Sequence, residues 1–198
     1  NGFQLTTHDY VLDEPLKWKK PKVIFVNSMS DLFHEDVPLS FIQKVFYTIN
    51  RCPNHTFQIL TKRSDILRKY ASSLEWSDNI WIGVSVETEQ FTHRIDDLRC
   101  VPTENRFISI EPLLGPIKNL SLSGINWIIV GGESGYGCRM VKKEWIENIF
   151  KDCKDNGVPF FFKQWGGVNK KKSGRQLFDR EWNEVPSTLR KALNRNVM

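Results

Sequence analysis

The sequence predicts an α/β fold in which about six mainly parallel strands alternate with helices. Their C-terminal ends gather on one rim of a barrel-like or open-barrel sheet, and a small hairpin or tail follows. Three observations predict this. Short runs dense in β-branched and aromatic residues recur through the middle of the chain without polar alternation, as strands covered on both faces require. Segments with apolar residues at helical spacing separate most of these runs. Each run then gives way to polar or charged residues, which is how a buried strand reads when it opens into a site.

Residues 1–21 show no sustained period, and the stretch from Pro15 to Pro21 reads as an extended connector. The predicted core, residues 22–167, begins with a strand over 22–26 that ends at Asn27, Ser28, Met29, Ser30 and Asp31. Pro38 suits a first helical turn, and Phe41, Ile42, Val45, Phe46 and Ile49 continue at helical spacing until Pro53. The strand over 56–60 leads into Thr61, Lys62 and Arg63, after which Ser64 is expected to cap a short helix facing Ile66, Leu67 and Tyr70 inward. A strand over 80–84 ends at Ser85 and Glu87. Thr88 is expected to cap the helix carrying Phe91, Ile95 and Leu98.

The strand over 106–110 closes on Glu111, and the link that follows is too broken by Gly115 and Pro116 for a full helix. The next strand, 125–130, stops at Gly131, Gly132 and Glu133, where two residues without a Cβ let the backbone turn sharply and approach a ligand. An amphipathic helix over 142–156 sets Trp145, Ile146, Ile149, Phe150 and Cys153 on one face and stops at Gly157. The last core strand, 159–162, closes on Lys163, Gln164 and Trp165. Residues 168–198 form a basic tail that opens with Lys170, Lys171 and Lys172 and holds a possible hairpin near 176–186.

A chain of 198 residues with 40% hydrophobic content can bury one sizeable core. Its 28 basic against 23 acidic residues give a net charge of +5, a mild excess compatible with a phosphate-bearing partner. No apolar stretch approaches the ~20 residues of a membrane helix and no signal-peptide pattern opens the sequence, so a cytoplasmic protein is expected. Four scattered cysteines without a C-x-x-C pair predict neither a disulfide framework nor a metal site.

Right-handed crossovers would bring Asp31, Glu87, Glu111 and Glu133 to one opening. There they could hold a cation or perform acid and base work, or pair with Lys62, Arg63, Arg106 and Arg139. Lys163, following Phe160, Phe161 and Phe162, could act as a nucleophile or bind a carboxylate or phosphate as a point charge. Glu87, Glu111, Glu133 and Lys163 are therefore the catalytic candidates. Lys62, Arg63, Gln164 and Trp165 are candidate substrate contacts, with Trp165 placed over a base or ring. The loop from Gly131 to Gly135 is neither a G-x-G-x-x-G nor a phosphate loop, but its free N–H groups and carboxylate suit a ribose or an amino-acid group.

Six stretches together resemble one family. They are Ile24 to His34, Phe57 to Arg63, Gly83 to Glu87, Glu111 to Pro116, Val130 to Gly135 and Phe160 to Gly166. They are similar to a phage-associated family related to radical S-adenosylmethionine enzymes, over about residues 18–186. The resemblance implies a partial (β/α) barrel in which a three-cysteine run after the first strand binds a [4Fe–4S] cluster and S-adenosylmethionine lies across the strand ends. By strand order it implies Asn27, Ser28 and Asp31 near the methionine amino group. Ser85 and Glu87 would lie near the ribose or carboxylate, and Gly131, Gly132 and Glu133 near the adenosine.

The three-cysteine run is absent from this sequence, and its four cysteines have the wrong spacing to replace it. Since the chain begins at Asn1 rather than at a methionine, the expectation is that the run lies upstream, in preference to a cluster-free remnant. The leading expectation is a radical S-adenosylmethionine-like enzyme core acting on a nucleic-acid or nucleotide-like substrate. The alternatives are a carboxylate-rim hydrolase or lyase on a TIM-like barrel, and a non-catalytic module binding nucleic acid or a phage partner.

Overall fold

The computed structural model describes residues 5–118 and 120–194. Six strands, β1 (Val23–Val26), β2 (Thr56–Thr61), β3 (Ile80–Ser85), β4 (Arg106–Ile110), β5 (Trp127–Gly131) and β6 (Phe160–Gln164), are all parallel and lie side by side in chain order. Helices α1 (Leu39–Asn50), α2 (Ser64–Tyr70), α3 (His93–Arg99) and α4 (Lys143–Asp155) fill four of the crossovers. Among the described residues the β4-to-β5 link carries no helix, as Gly115 and Pro116 predict. The sheet curls into a half-barrel.

Both faces of the central strands β3, β4 and β5 are buried, which is why they lack polar alternation, whereas β1 is partly exposed at Phe25. On the convex face Ile59, Ile82, Val84, Ile108, Ile128 and Phe160 join Ile42, Phe46, Ile95, Leu98, Ile146 and Ile149 of the helices in one core. On the concave face Trp81, Phe107 and Trp127 form a second cluster with Leu189. Trp127 stands edge-on to Trp81 at 6.4 Å and to Phe161 at 6.1 Å. Gly83 is needed there, because a Cβ on it would lie 2.6 Å from the Phe107 ring. With a period of two, the concave row continues from this aromatic floor to Ser85 and Glu87 on β3, Ser109 and Glu111 on β4 and Lys163 on β6. The floor is apolar and the mouth is polar.

After β6 come a short helix α5 (Lys170–Ser173), the antiparallel hairpin of β7 (Gln176–Leu177) and β8 (Arg180–Glu181), and helix α6 (Ser187–Asn194). This segment covers the outer edge of β6. Phe162 N donates to Trp182 O at 2.9 Å, Glu184 N donates to Phe160 O at 3.2 Å, and Leu177 and Leu189 are buried. An edge strand covered in this way is shielded from pairing with another chain. Of the basic run, the side chains of Lys170 and Lys171 lie outside the described residues.

Two local expectations are corrected. Ser64 is the first helical residue rather than a cap, and its hydroxyl donates to Asp97 Oδ2 at 2.7 Å, because α2 packs against α3. The single helix expected after Thr88 is broken into a 3-10 turn over Glu89–Phe91 and then α3. Thr88 makes no side-chain cap, and the Thr92 hydroxyl and N–H both donate to Glu89 O, at 2.9 and 3.2 Å, closing the tighter turn.

Candidate functional site

The mouth is assembled from the strand ends. β1 stops because Asn27 turns into the left-handed region at φ 57°, which Asn tolerates better than most residues. The chain then returns through Asp31. Its Oδ1 accepts from Thr61 Oγ1 at 2.7 Å and from Phe33 N at 3.0 Å. Its Oδ2 accepts from Lys62 N at 2.9 Å and from Arg63 at 3.5 Å. Asp31 thus staples the β1 and β2 ends together.

β3 and β4 carry the same tripeptide pattern into the mouth, Ser85-Val86-Glu87 and Ser109-Ile110-Glu111. Ser85 and Ser109 are register partners, so the two serines lie side by side with the two carboxylates above them. Glu87 is buried and receives Lys62 Nζ at 2.5 Å and Arg94 at 2.9 Å. Arg94 also donates to Ser85 O at 2.7 Å. Burial pushes the Glu87 carboxyl up, but the bonds and charges of Lys62 and Arg94 outweigh it and hold the group below the usual carboxylate range. Glu111 accepts from Lys163 Nζ at 2.9 Å and from Gln164 Nε2 at 3.3 Å. Across the mouth the order is Lys62, Glu87, Glu111, Lys163, alternating from cation through two anions to cation. Ser85 and Ser109 are 3% and 4% exposed, and among the described residues neither hydroxyl has a hydrogen-bond partner. Ser85 lines the cleft, so its open hydroxyl is a group for a ligand to satisfy, and Ser109 stands next to it in register.

The β5 and β6 ends lock together. Gly132 N donates to Gln164 O at 2.9 Å and Gly167 N to Glu133 O at 2.8 Å. Gln164 Nε2 also reaches Ser134 Oγ at 2.8 Å. Glu133 accepts from Arg139 N, Nε and NH2 at 2.7, 2.9 and 2.6 Å. These bonds, from the Arg139 side chain first and its backbone N–H second, lower the Glu133 carboxyl to about 2. Arg139→Ala is expected to return Glu133 toward the ordinary carboxylate value near 4.3. A carbon-detected NMR titration of the Glu133 carboxyl reads this directly, and an unmoved midpoint would show that the guanidinium is not the cause. In the parent protein the pair's contribution is present above the unfolded value and is lost as pH falls toward 2.

A cleft of about 1850 Å3 brings together Asn27, Ser28, Asp31, Lys62, Arg63, Ser85, Glu111 and Lys163. Glu87 pairs with Lys62 but does not line this cleft, and neither do Gly131, Gly132 and Glu133 at the β5 end. Gln164 and Trp165 line a neighbouring cavity. Ser109, Arg94 and Thr61 escaped the sequence reading, although the repeat of Ser-x-Glu at two strand ends was a signal for the first. Glu111, Gly131 and Lys163 lie close together, since a Cβ on Gly131 would come 3.2 Å from Glu111 Oε1.

The described residues do not fit an iron–sulfur cluster. Cys52 and Cys153 are buried, Cys100 is exposed and Cys138 is half-buried on separate elements. Burial pushes the Cys153 thiol up to about 12, the reverse of what a thiolate ligand requires. No group of three or more His, Cys, Asp and Glu among the described residues could hold a metal ion. His34 Nδ1 accepts from Asp36 N at 3.2 Å. No helix among the described residues is long and apolar enough to cross a membrane.

Residues 2–186, which include all six strands and the whole mouth, match the model of a protein family described as "Protein of unknown function (DUF5131)". No curated protein and no solved structure matches the chain.

Proposed function

The chain belongs to the DUF5131 family, and we propose that it is a radical S-adenosylmethionine-like enzyme core whose mouth holds S-adenosylmethionine beside a nucleotide-like substrate. The observation that carries this reading is Ser85, which lines the cleft beside Lys62, Glu111 and Lys163 with its hydroxyl unpartnered among the described residues and with Ser109 next to it in register. A zwitterion suits this order of charge: its carboxylate meets an ammonium and its own ammonium meets a carboxylate. The methionine end of S-adenosylmethionine is such a group, and its ribose hydroxyls suit the serines. When bound, the cofactor supplies an activated carbon on sulfur. The chain's own residues bind and orient it, and the aromatic floor of Trp81, Phe107 and Trp127 keeps water from beneath the site. The described residues supply no cluster ligands.

The metal-dependent form of the carboxylate-rim hydrolase reading draws less support, since no group of three or more His, Cys, Asp and Glu among the described residues could hold a metal ion. Isothermal titration with S-adenosylmethionine tests the proposal. Binding is expected, and Ser85→Ala with Ser109→Ala is expected to weaken it about tenfold or more, the loss of two hydrogen bonds. A folded protein that binds neither S-adenosylmethionine nor S-adenosylhomocysteine, or a double variant with unchanged affinity, would overturn it.

A further inference from the structure

A second cavity, of about 640 Å3, opens beside the mouth and is lined in part by Lys163, Trp165, Lys172, Arg175 and Glu181. Its volume suits one nucleotide-sized group and not a duplex. Lys163 lines both cavities, so a ligand seated in the mouth can continue past Lys163 into the second. Three cations face one carboxylate there. Glu181 lies 3.6 Å from Arg175 Nε, and the Lys172 ammonium has no acidic partner among the described residues.

Trp165 is a fixed wall. Phe162 braces its ring edge-on at 5.0 Å, and its indole N–H is taken by Gln176 O at 2.8 Å. What the half-buried indole still offers is a surface for stacking. Cations combined with a braced aromatic are the means by which single strands are held without base-edge readout. An acidic peptide would use the cations and leave the indole idle.

Resting on the reading of the mouth as a nucleotide-binding rim, we propose that the second cavity holds the neighbouring nucleotide of a single-stranded nucleic-acid substrate. Its base lies against Trp165 and its phosphate sits between Lys163 and Lys172.

Fluorescence anisotropy tests this with the full chain and labelled single-stranded DNA and RNA of about 12 nucleotides, within the usual site size. The oligonucleotide is expected to bind more tightly than a mononucleotide, with affinity falling as salt rises. Lys172→Glu is expected to weaken oligonucleotide binding about tenfold while S-adenosylmethionine binding stays unchanged. Trp165→Phe, which keeps a ring against Phe162, is expected to weaken it about threefold, part of the value of one stacked base. Equal affinity for oligonucleotide and mononucleotide overturns the proposal, as does indifference to Lys172→Glu or equal binding of a polyglutamate of matched charge. Oligonucleotide binding that depends on Lys172 in a protein unable to bind S-adenosylmethionine would uphold the second cavity and remove the cofactor reading of the mouth.

Discussion

Gly132→Ala is expected to destabilise the protein by about 3 kcal/mol or more. A Cβ on Gly132 would stand 2.0 Å from Trp165 O and 2.7 Å from Trp165 C, both backbone atoms that no rotamer change can move aside. The clash is mirrored across the seam, where a Cβ on Gly166 would come 2.1 Å from Glu133 O. Relief requires the two loops to part. Parting breaks the bonds from Gly132 N to Gln164 O and from Gly167 N to Glu133 O, each worth about 1 kcal/mol. It also displaces Gln164 and the neighbouring Lys163, hence the Glu111 pair. Gly135→Ala is the control. Its φ is 117° but nothing lies within 4 Å of the added Cβ, so its cost is backbone strain alone, about 1 to 2 kcal/mol. Urea denaturation of the two variants separates the cases, and equal midpoints would show that the seam does not depend on close approach.

The same seam shows how far the sequence could be read. A glycine pair after a buried strand announces a close approach, but not what approaches; the partner, Trp165 to Gly167, lies more than thirty residues further on. The strands themselves were legible because burial on both faces leaves an unbroken apolar run, and the polar residue ending each run marked the rim. Register was not legible. Ser109 sits inside a predicted strand and becomes a site residue only once β4 is aligned with β3, which sets its hydroxyl beside Ser85. Arg94 lies on a predicted helix, and nothing local says that its guanidinium turns back to Glu87. Asp31 was legible as a strand-end carboxylate, yet its four accepted bonds are to neighbouring protein groups, including two backbone N–H groups, a demand invisible until two loops are set side by side. The closing of the β6 edge by Trp182 to Glu184 is tertiary in the same sense.

Glu87→Ala is expected to cost about 3 to 5 kcal/mol at neutral pH, the usual penalty for removing one partner of a buried ion pair. Arg94, whose side chain is only 12% exposed, would lose its anion, and Lys62 would lose its carboxylate partner. Glu87→Gln keeps the shape and removes the charge, so it isolates the electrostatic part. The sign with pH follows from the two cations, which outweigh burial and set the folded carboxyl below its unfolded value. The Glu87 contribution is therefore complete above the unfolded value of about 4.3 and is lost as pH falls through the folded one. The stability gap between the parent and Glu87→Gln should be widest near pH 7 and should shrink on acidification. Urea midpoints for both proteins at a series of pH values test this. A gap that stays constant would place the effect in packing, and one that widens in acid would mean that burial dominates and that Glu87 is protonated in the fold. That last outcome would also change the charge order across the mouth, because Lys62 and Arg94 would lose their anion and only Glu111, paired with Lys163, would remain between the cations.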